Sequence, residues 1–204
     1  KARQTDVLVG ETMLQRGLDY LKTQLQTIRQ VENYRAANQQ AWLLYVLAEG
    51  GQAPQEQLDN LFENREKLSH YARAYLAQAL WLRNPNDARL QTLLADLNNA
   101  AILSATGAHW EEANYDWWAM NTDTRSTAVI LDTLTKLDPE NALNPNIVRW
   151  LMVARKGGIW ETTQETAWAL IALTDWMVMT GELDAAYDYS AFLNGAELAT
   201  ASAT

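Results

Sequence analysis

The chain has 204 residues, 48% of them apolar and 20% charged, with nine Trp, nine Gly, four Pro, no Cys and a formal charge of −9. That apolar fraction with so little Gly and Pro excludes a disordered or collagen-like chain, and the lack of Cys excludes disulfide scaffolds, thiolate metal sites and Cys nucleophiles. The acidic balance has the wrong sign for a nucleic-acid backbone or an anionic membrane surface, so neither is expected as a partner.

A chain of this length buries a core without metal or disulfide staples. Its longest apolar stretch, Thr166 to Thr180, contains Asp175 and is shorter than the roughly 20 residues that span a bilayer, so it reads as a buried helix. The chain opens at Lys1 rather than Met, and Lys1 to Gln30 carries neither an apolar signal core nor a small-residue cleavage site, the pattern of a segment taken from something longer.

In chain order, the 3.6-residue period predicts one helix after another. Leu14, Leu18, Leu21 and Leu25 stripe a first helix from about Glu11 to Arg29. Ala41 to Ala48 is apolar nearly all round and is stopped by Glu49-Gly50-Gly51, where glycine accepts a left-handed conformation. A short helix follows Pro54, and another runs from about Leu68 to Leu82. Asn84-Pro85 and Asn144-Pro145 each place a capping residue before a proline whose missing N–H is harmless at a first helical position; these pairs predict helices ending near Ser104 and Lys156. Thr162-Thr163-Gln164-Glu165 fits a capping box that opens a helix to about Thr180, closed by Gly181. Beyond it, Tyr187, Tyr189, Ala191 and Leu193 alternate with Asp188, Ser190 and Phe192 before Asn194-Gly195, the signal of a hairpin with a type I′ turn.

The most apolar helices repeat. Ala41, Ala74, Ala128 and Ala167 are each followed six residues later by a Leu: Leu47, Leu80, Leu134 and Leu173. The class is therefore all-α, an α/α toroid of helix pairs with Ala-rich helices inside and charged amphipathic ones outside. The ring is incomplete, with an open edge more apolar than the net charge suggests. The expected division is a partial toroid over residues 1–181 and the start of an incomplete β-domain over 182–204, because an isolated hairpin is marginally stable. Its free edge could pair with another copy.

Candidate chemistry is sparse. Glu111, Glu112, Asp116 and Asp123 crowd a Trp-rich loop, Ala105 to Thr122, with His109, Trp110, Trp117 and Trp118. Carboxylates beside aromatics suit a sugar cleft, but a loop that packs its Trp rings over helix ends, with Asp123 capping the next helix, explains the same residues. His70 has no second His at ligand spacing and reads as a satisfied structural histidine. Gly157-Gly158-Ile159-Trp160 lacks the strand that precedes a phosphate loop and reads as a helix stop with a Trp plug. No nucleophile motif, metal set or cofactor motif is present, so no catalytic residue and no cofactor are expected.

Three runs are more specific: Asp123-Thr124-Arg125-Ser126-Thr127-Ala128, Asn146-Ile147-Val148-Arg149-Trp150-Leu151, and Gly157-Gly158-Ile159-Trp160-Glu161-Thr162-Thr163-Gln164-Glu165-Thr166-Ala167-Trp168-Ala169-Leu170. Together they resemble the thioester domain of the α2-macroglobulin family in its bacterial branch, strongly from about Leu68 to Gly195 and more weakly before. The resemblance implies the C-terminal part of an α/α toroid within a secreted or periplasmic protease trap. In such a trap, cleavage of a bait region releases a Cys–Gln thioester that acylates the protease. The family's Cys-x-Glu-Gln motif has no counterpart in this Cys-free chain, and Gln164-Glu165 is not that motif. The implied role is a non-catalytic toroid wall contacting sibling macroglobulin-like and β-domains, with target proteases met through the larger protein, which could itself be membrane-anchored. The other readings are a carbohydrate- or isoprenoid-active enzyme on the same toroid plan and a plain helical-repeat scaffold.

Overall fold

The computed structural model describes residues 9–27, 33–117, 119–182 and 187–203. Eight α-helices lie among them: α1 (Glu11–Thr27), α2 (Tyr34–Glu49), α3 (Gln55–Glu63), α4 (His70–Arg83), α5 (Arg89–Asn99), α6 (Asp123–Leu137), α7 (Asn144–Ala154) and α8 (Thr163–Thr180). Two small antiparallel hairpins accompany them: β1 (Ile102–Ser104) with β2 (Gly107–His109), and β3 (Tyr187–Leu193) with β4 (Ala196–Ala203).

The helices form two layers. α2, α4, α6 and α8 pack side by side as an inner row, while α3, α5 and α7 lie outside against them. The sequence repeat accounts for the inner row, since small Ala side chains let helix axes approach closely while Leu fills the space between them. Ala41, Ala74 and Ala128, with Leu47, Leu80 and Leu134, are all buried.

The fourth repeat position departs from this pattern. Ala167 is exposed and Leu173 only partly buried; Ala169 and Ala172 are buried instead. The capping box turns Glu165 inward, and residues spaced three and four apart share a helix face, so Ala167 points away from α6. The opposite side of α8 is apolar and open, with Leu170 54% and Val178 62% exposed. The expected apolar edge is therefore real and lies along α8.

Several predicted ends move. No helix starts at Asn84-Pro85: the Asn84 side chain accepts from the Asn86 amide and Asp87 Oδ1 accepts from the Arg89 amide. These local bonds hold an Asx-type turn in competition with helix, and α5 begins only at Arg89 and ends at Asn99 rather than near Ser104. Asn144 is the first residue of α7 rather than its cap, and its side-chain amide instead donates to the carbonyls of Asp138 and Pro139. The predicted loop from Ala105 contains β2, whose Gly107 (φ +134°) runs so close to α7 that an added Cβ would lie 2.2 Å from the Asn146 carbonyl oxygen.

The C-terminal hairpin forms as its sequence predicts. Asn194 and Gly195 both adopt positive φ, 51° and 81°, the geometry of a type I′ turn. A register irregularity between Ala191 and Phe192 is not visible in the alternation. Both faces of β3 are exposed. The predicted domain boundary near Gly181 to Asp184 lies partly outside the described residues.

Candidate functional site

The family-like motif at Trp160 to Trp168 builds the entry to α8. Thr162 Oγ1 accepts from the Glu165 amide at 3.1 Å and Glu165 Oε2 accepts from the Thr162 amide at 2.9 Å, so two helix-end donors are satisfied reciprocally. Trp160 is buried, its indole N–H donating to the Leu151 carbonyl, and Thr166 donates to the Trp160 carbonyl. Gly157 and Gly158 hold positive φ in the turn between α7 and this motif. Thr163 is exposed and Gln164 half-buried; Trp168 packs its ring 5.7 Å from Tyr75 on α4.

The other set, His109 to Trp118, does not gather into one cleft. His109 stacks on Trp150 at 4.6 Å, with Nε2 3.3 Å from the exposed Glu111. Trp110 is fully buried; its indole N–H donates to the Leu97 carbonyl and its amide to Thr127 Oγ1. Glu112 binds the first two amides of α4, accepting from His70 and Tyr71 at 3.1 Å each. Asp116 is buried with Oδ2 3.4 Å from Arg35 Nε. Trp117 is 73% exposed, and Trp118 lies outside the described residues. Asp123 does not cap α6: Thr122 Oγ1 caps it, and Asp123 Oδ1 accepts from the Glu112 amide instead.

These bonds tie the segment across the starts of the inner helices. Glu112 supplies the cap that α4 lacks locally, because Ser69 Oγ accepts from Asn38 Nδ2 rather than from an α4 amide. A carboxylate at a helix start is favoured by the helix dipole. Nothing in the local sequence announced this cap, since donor and acceptor are 42 residues apart. His70 is not the satisfied residue the sequence suggested, as its buried Nδ1 has no hydrogen-bond partner among the described residues and burial holds its imidazole below the ordinary range.

Beside this segment the starts of the inner helices border an open cavity of about 540 Å³, lined by Trp42, Tyr71, Tyr75, Asp116, Met120 and Arg125 among others. Arg125, only 6% exposed, donates from Nη2 to the Tyr75 hydroxyl, while its Nε and Nη1 have no partner among the described residues. Its guanidinium lies over the rings of Tyr71 at 4.9 Å and Trp168 at 6.0 Å. Cation–π contact returns about 0.5–2 kcal/mol, short of the several kcal/mol that desolvating a lone charge costs. Burial pushes the Tyr75 phenol up to about 12, with Arg125 acting against the shift. The sequence placed Arg125 in a family-like run and gave it no role.

A family model described as the A-macroglobulin TED domain matches residues 52–176, well over half of the chain. The chain belongs to the A-macroglobulin TED-domain family. The match starts before Leu68, the onset of the strong sequence resemblance, and stops before the C-terminal hairpin. Among solved structures, Salmonella alpha-2-macroglobulin reacted with methylamine shares the fold at a TM-score of 0.71 and 20% identity, over 99% of this chain and 13% of that one. Escherichia coli alpha-2-macroglobulin activated by porcine elastase aligns at 0.66 and 19% identity, over 98% of this chain and 17% of that one. The native conformation of the Escherichia coli protein aligns at 0.64 and 18% identity, over 98% and 12%. No match was found among curated protein sequences. This TED-family chain thus spans a small part of the bacterial macroglobulins whose fold it shares.

At the far end of the inner helices, the TED fold carries a second polar cluster. Asp132 is fully buried on α6, accepting from Gln78 on α4 at 2.9 Å and from Lys136 at 2.6 Å. Lys136 also lies 3.4 Å from Asp175 on α8. Burial, and a second carboxylate sharing one ammonium, hold the Asp132 carboxyl above the usual range against the pull of Lys136. Among the described residues no group of three His, Asp or Glu is placed to hold a metal ion, and no helix is long and apolar enough to cross a membrane.

Proposed function

We propose that this chain is the toroid wall of a broad-spectrum endopeptidase inhibitor of the protease-trap type, acting in the periplasm or outside the cell, and that it is not itself an enzyme. The family match over residues 52–176 carries this reading. The acid groups that suggested a sugar cleft support it too: Glu112 and Asp123 accept from backbone amides and Asp116 pairs with Arg35, so their first role is holding helix ends. On this reading residues 1–181 are the toroid portion and 182–204 begin a neighbouring β-domain. The Trp160 to Trp168 motif sets the α8 register, and the exposed Trp117 ring meets a sibling domain. Larger segments of the same protein supply the bait and any thioester.

The test uses the full gene product that contains these residues. Preincubated with trypsin, it is expected to slow digestion of a large substrate such as casein while cleavage of a small chromogenic peptide continues. Unchanged casein digestion overturns the inhibitor reading. The 204-residue chain alone is expected to give no protease adduct resistant to boiling in SDS.

A further inference from the structure

We propose that the cavity at the start of the inner helices is a binding site for a carboxylate carried on an apolar stem, with Arg125 as its anchor. The proposal does not depend on the inhibitor reading; it rests on a buried cation that no carboxylate among the described residues pairs with.

Arg125 is only 6% exposed and lines the roughly 540 Å³ cavity. Its Nε and Nη1 are orphaned donors, which together carry three of the five N–H groups of a guanidinium. Among the described residues no carboxylate ion-pairs with it. Asp116, the acid on the same cavity wall, pairs with Arg35 at the rim, so the lining holds a local positive excess inside a chain of net charge −9. Orphaned buried donors of this kind favour an anionic acceptor, and a carboxylate meeting the end of the guanidinium takes a hydrogen bond from Nη1 while matching its charge. The remaining wall selects the stem, because Trp42, Tyr71, Tyr75 and Met120 present aromatic and thioether surface that suits an aryl or branched aliphatic group. Nε and Nη1 are screened from solvent, so the guanidinium must turn toward the cavity to meet the acid, where the pair forms at a dielectric below that of bulk water.

The carboxylate could be a free small molecule or an acidic side chain on a peptide. The 204-residue chain is titrated with 3-phenylpropionate, with its uncharged amide, and with two short peptides carrying one Glu or one Gln between leucines. Trp fluorescence and thermal midpoint are the readouts. The expected result is saturable binding of at least one acid with a raised midpoint, and no response to the matching amide or Gln peptide. Binding of 3-phenylpropionate alone identifies a small-molecule site, and binding of the Glu peptide alone a peptide site. Arg125→Met is expected to weaken binding by about tenfold or more, the size of a lost charge-assisted hydrogen-bond pair. Trp42→Ala, at a side chain already 42% exposed, keeps the fold and is expected to weaken binding through the lost aromatic wall, which keeps the test decisive if Arg125→Met unfolds. Equal responses to acid and amide, undiminished binding by a folded Arg125→Met, or no saturable response to any acid overturns the proposal.

Discussion

Glu112 and Gly107 show how single residues far from the helix interiors hold the inner row in place. Glu112 accepts both leading amides of α4 while its own amide donates to Asp123 at the start of α6, so one side chain and one N–H join two inner helices. Glu112→Gln keeps the shape but removes the charge that faces the helix dipole, and is expected to cost about 1–2 kcal/mol in urea unfolding. Gly107 acts by having no side chain at all. Its φ of +134° and the 2.2 Å approach an added Cβ would make to a backbone oxygen leave no flexible group to yield. Gly107→Ala is therefore expected to destabilise by about 3 kcal/mol and lower the thermal midpoint clearly. Gly alone cannot be told from an ordinary turn glycine in the sequence, because the surface it meets, α7, begins at Asn144, far along the chain.

Among the elements, α8 is specified most completely by its own residues and yet placed by others. Thr162, Glu165 and Gly181 fix both ends locally, with Gly181 at φ 71° closing the helix, and Thr162→Ala is expected to cost about 1 kcal/mol. Which face of α8 meets α6 follows from the inward Glu165, so the apolar repeat at Ala167 fails where the same spacing succeeds in α2, α4 and α6. Pairing of α6 with α8 also depends on the Asp132, Lys136 and Asp175 cluster. A carboxyl whose pKa is higher folded than unfolded binds its proton more tightly in the native state. Its contribution is full below the unfolded value of about 4 and is lost as pH rises through the raised folded value. Stability measured by urea unfolding is thus expected to fall as pH climbs from about 4 through that raised value, and Asp132→Asn is expected to flatten this part of the profile. An unaltered slope in the variant would assign it to other groups.

At the scale of the whole molecule, the inner row ends on an apolar face of α8 and is followed by a hairpin exposed on both sides. Because β3 and β4 bury almost nothing, deletion of residues 187–204 is expected to change the thermal midpoint of the helical part by no more than a few degrees; a large fall would reveal contacts that hold the toroid. The helix class, the capping box, the hairpin turn and three of the four inner repeats follow from the sequence alone, because each rests on residues within one or two turns of each other, where spacing dictates geometry. The family resemblance was legible for the same reason, carried by contiguous runs such as Gly157 to Leu170. Four features became visible only in the fold: the Asx turn that delays α5 to Arg89, and three that tertiary structure alone decided, the β1 and β2 hairpin on α7, the distant cap at Glu112 and the cavity around Arg125. The Asx turn displaced a local helix signal with an equally local bond, and the other three join residues tens of positions apart, whose meeting is set by how the inner helices align and not by the chemistry of any one segment.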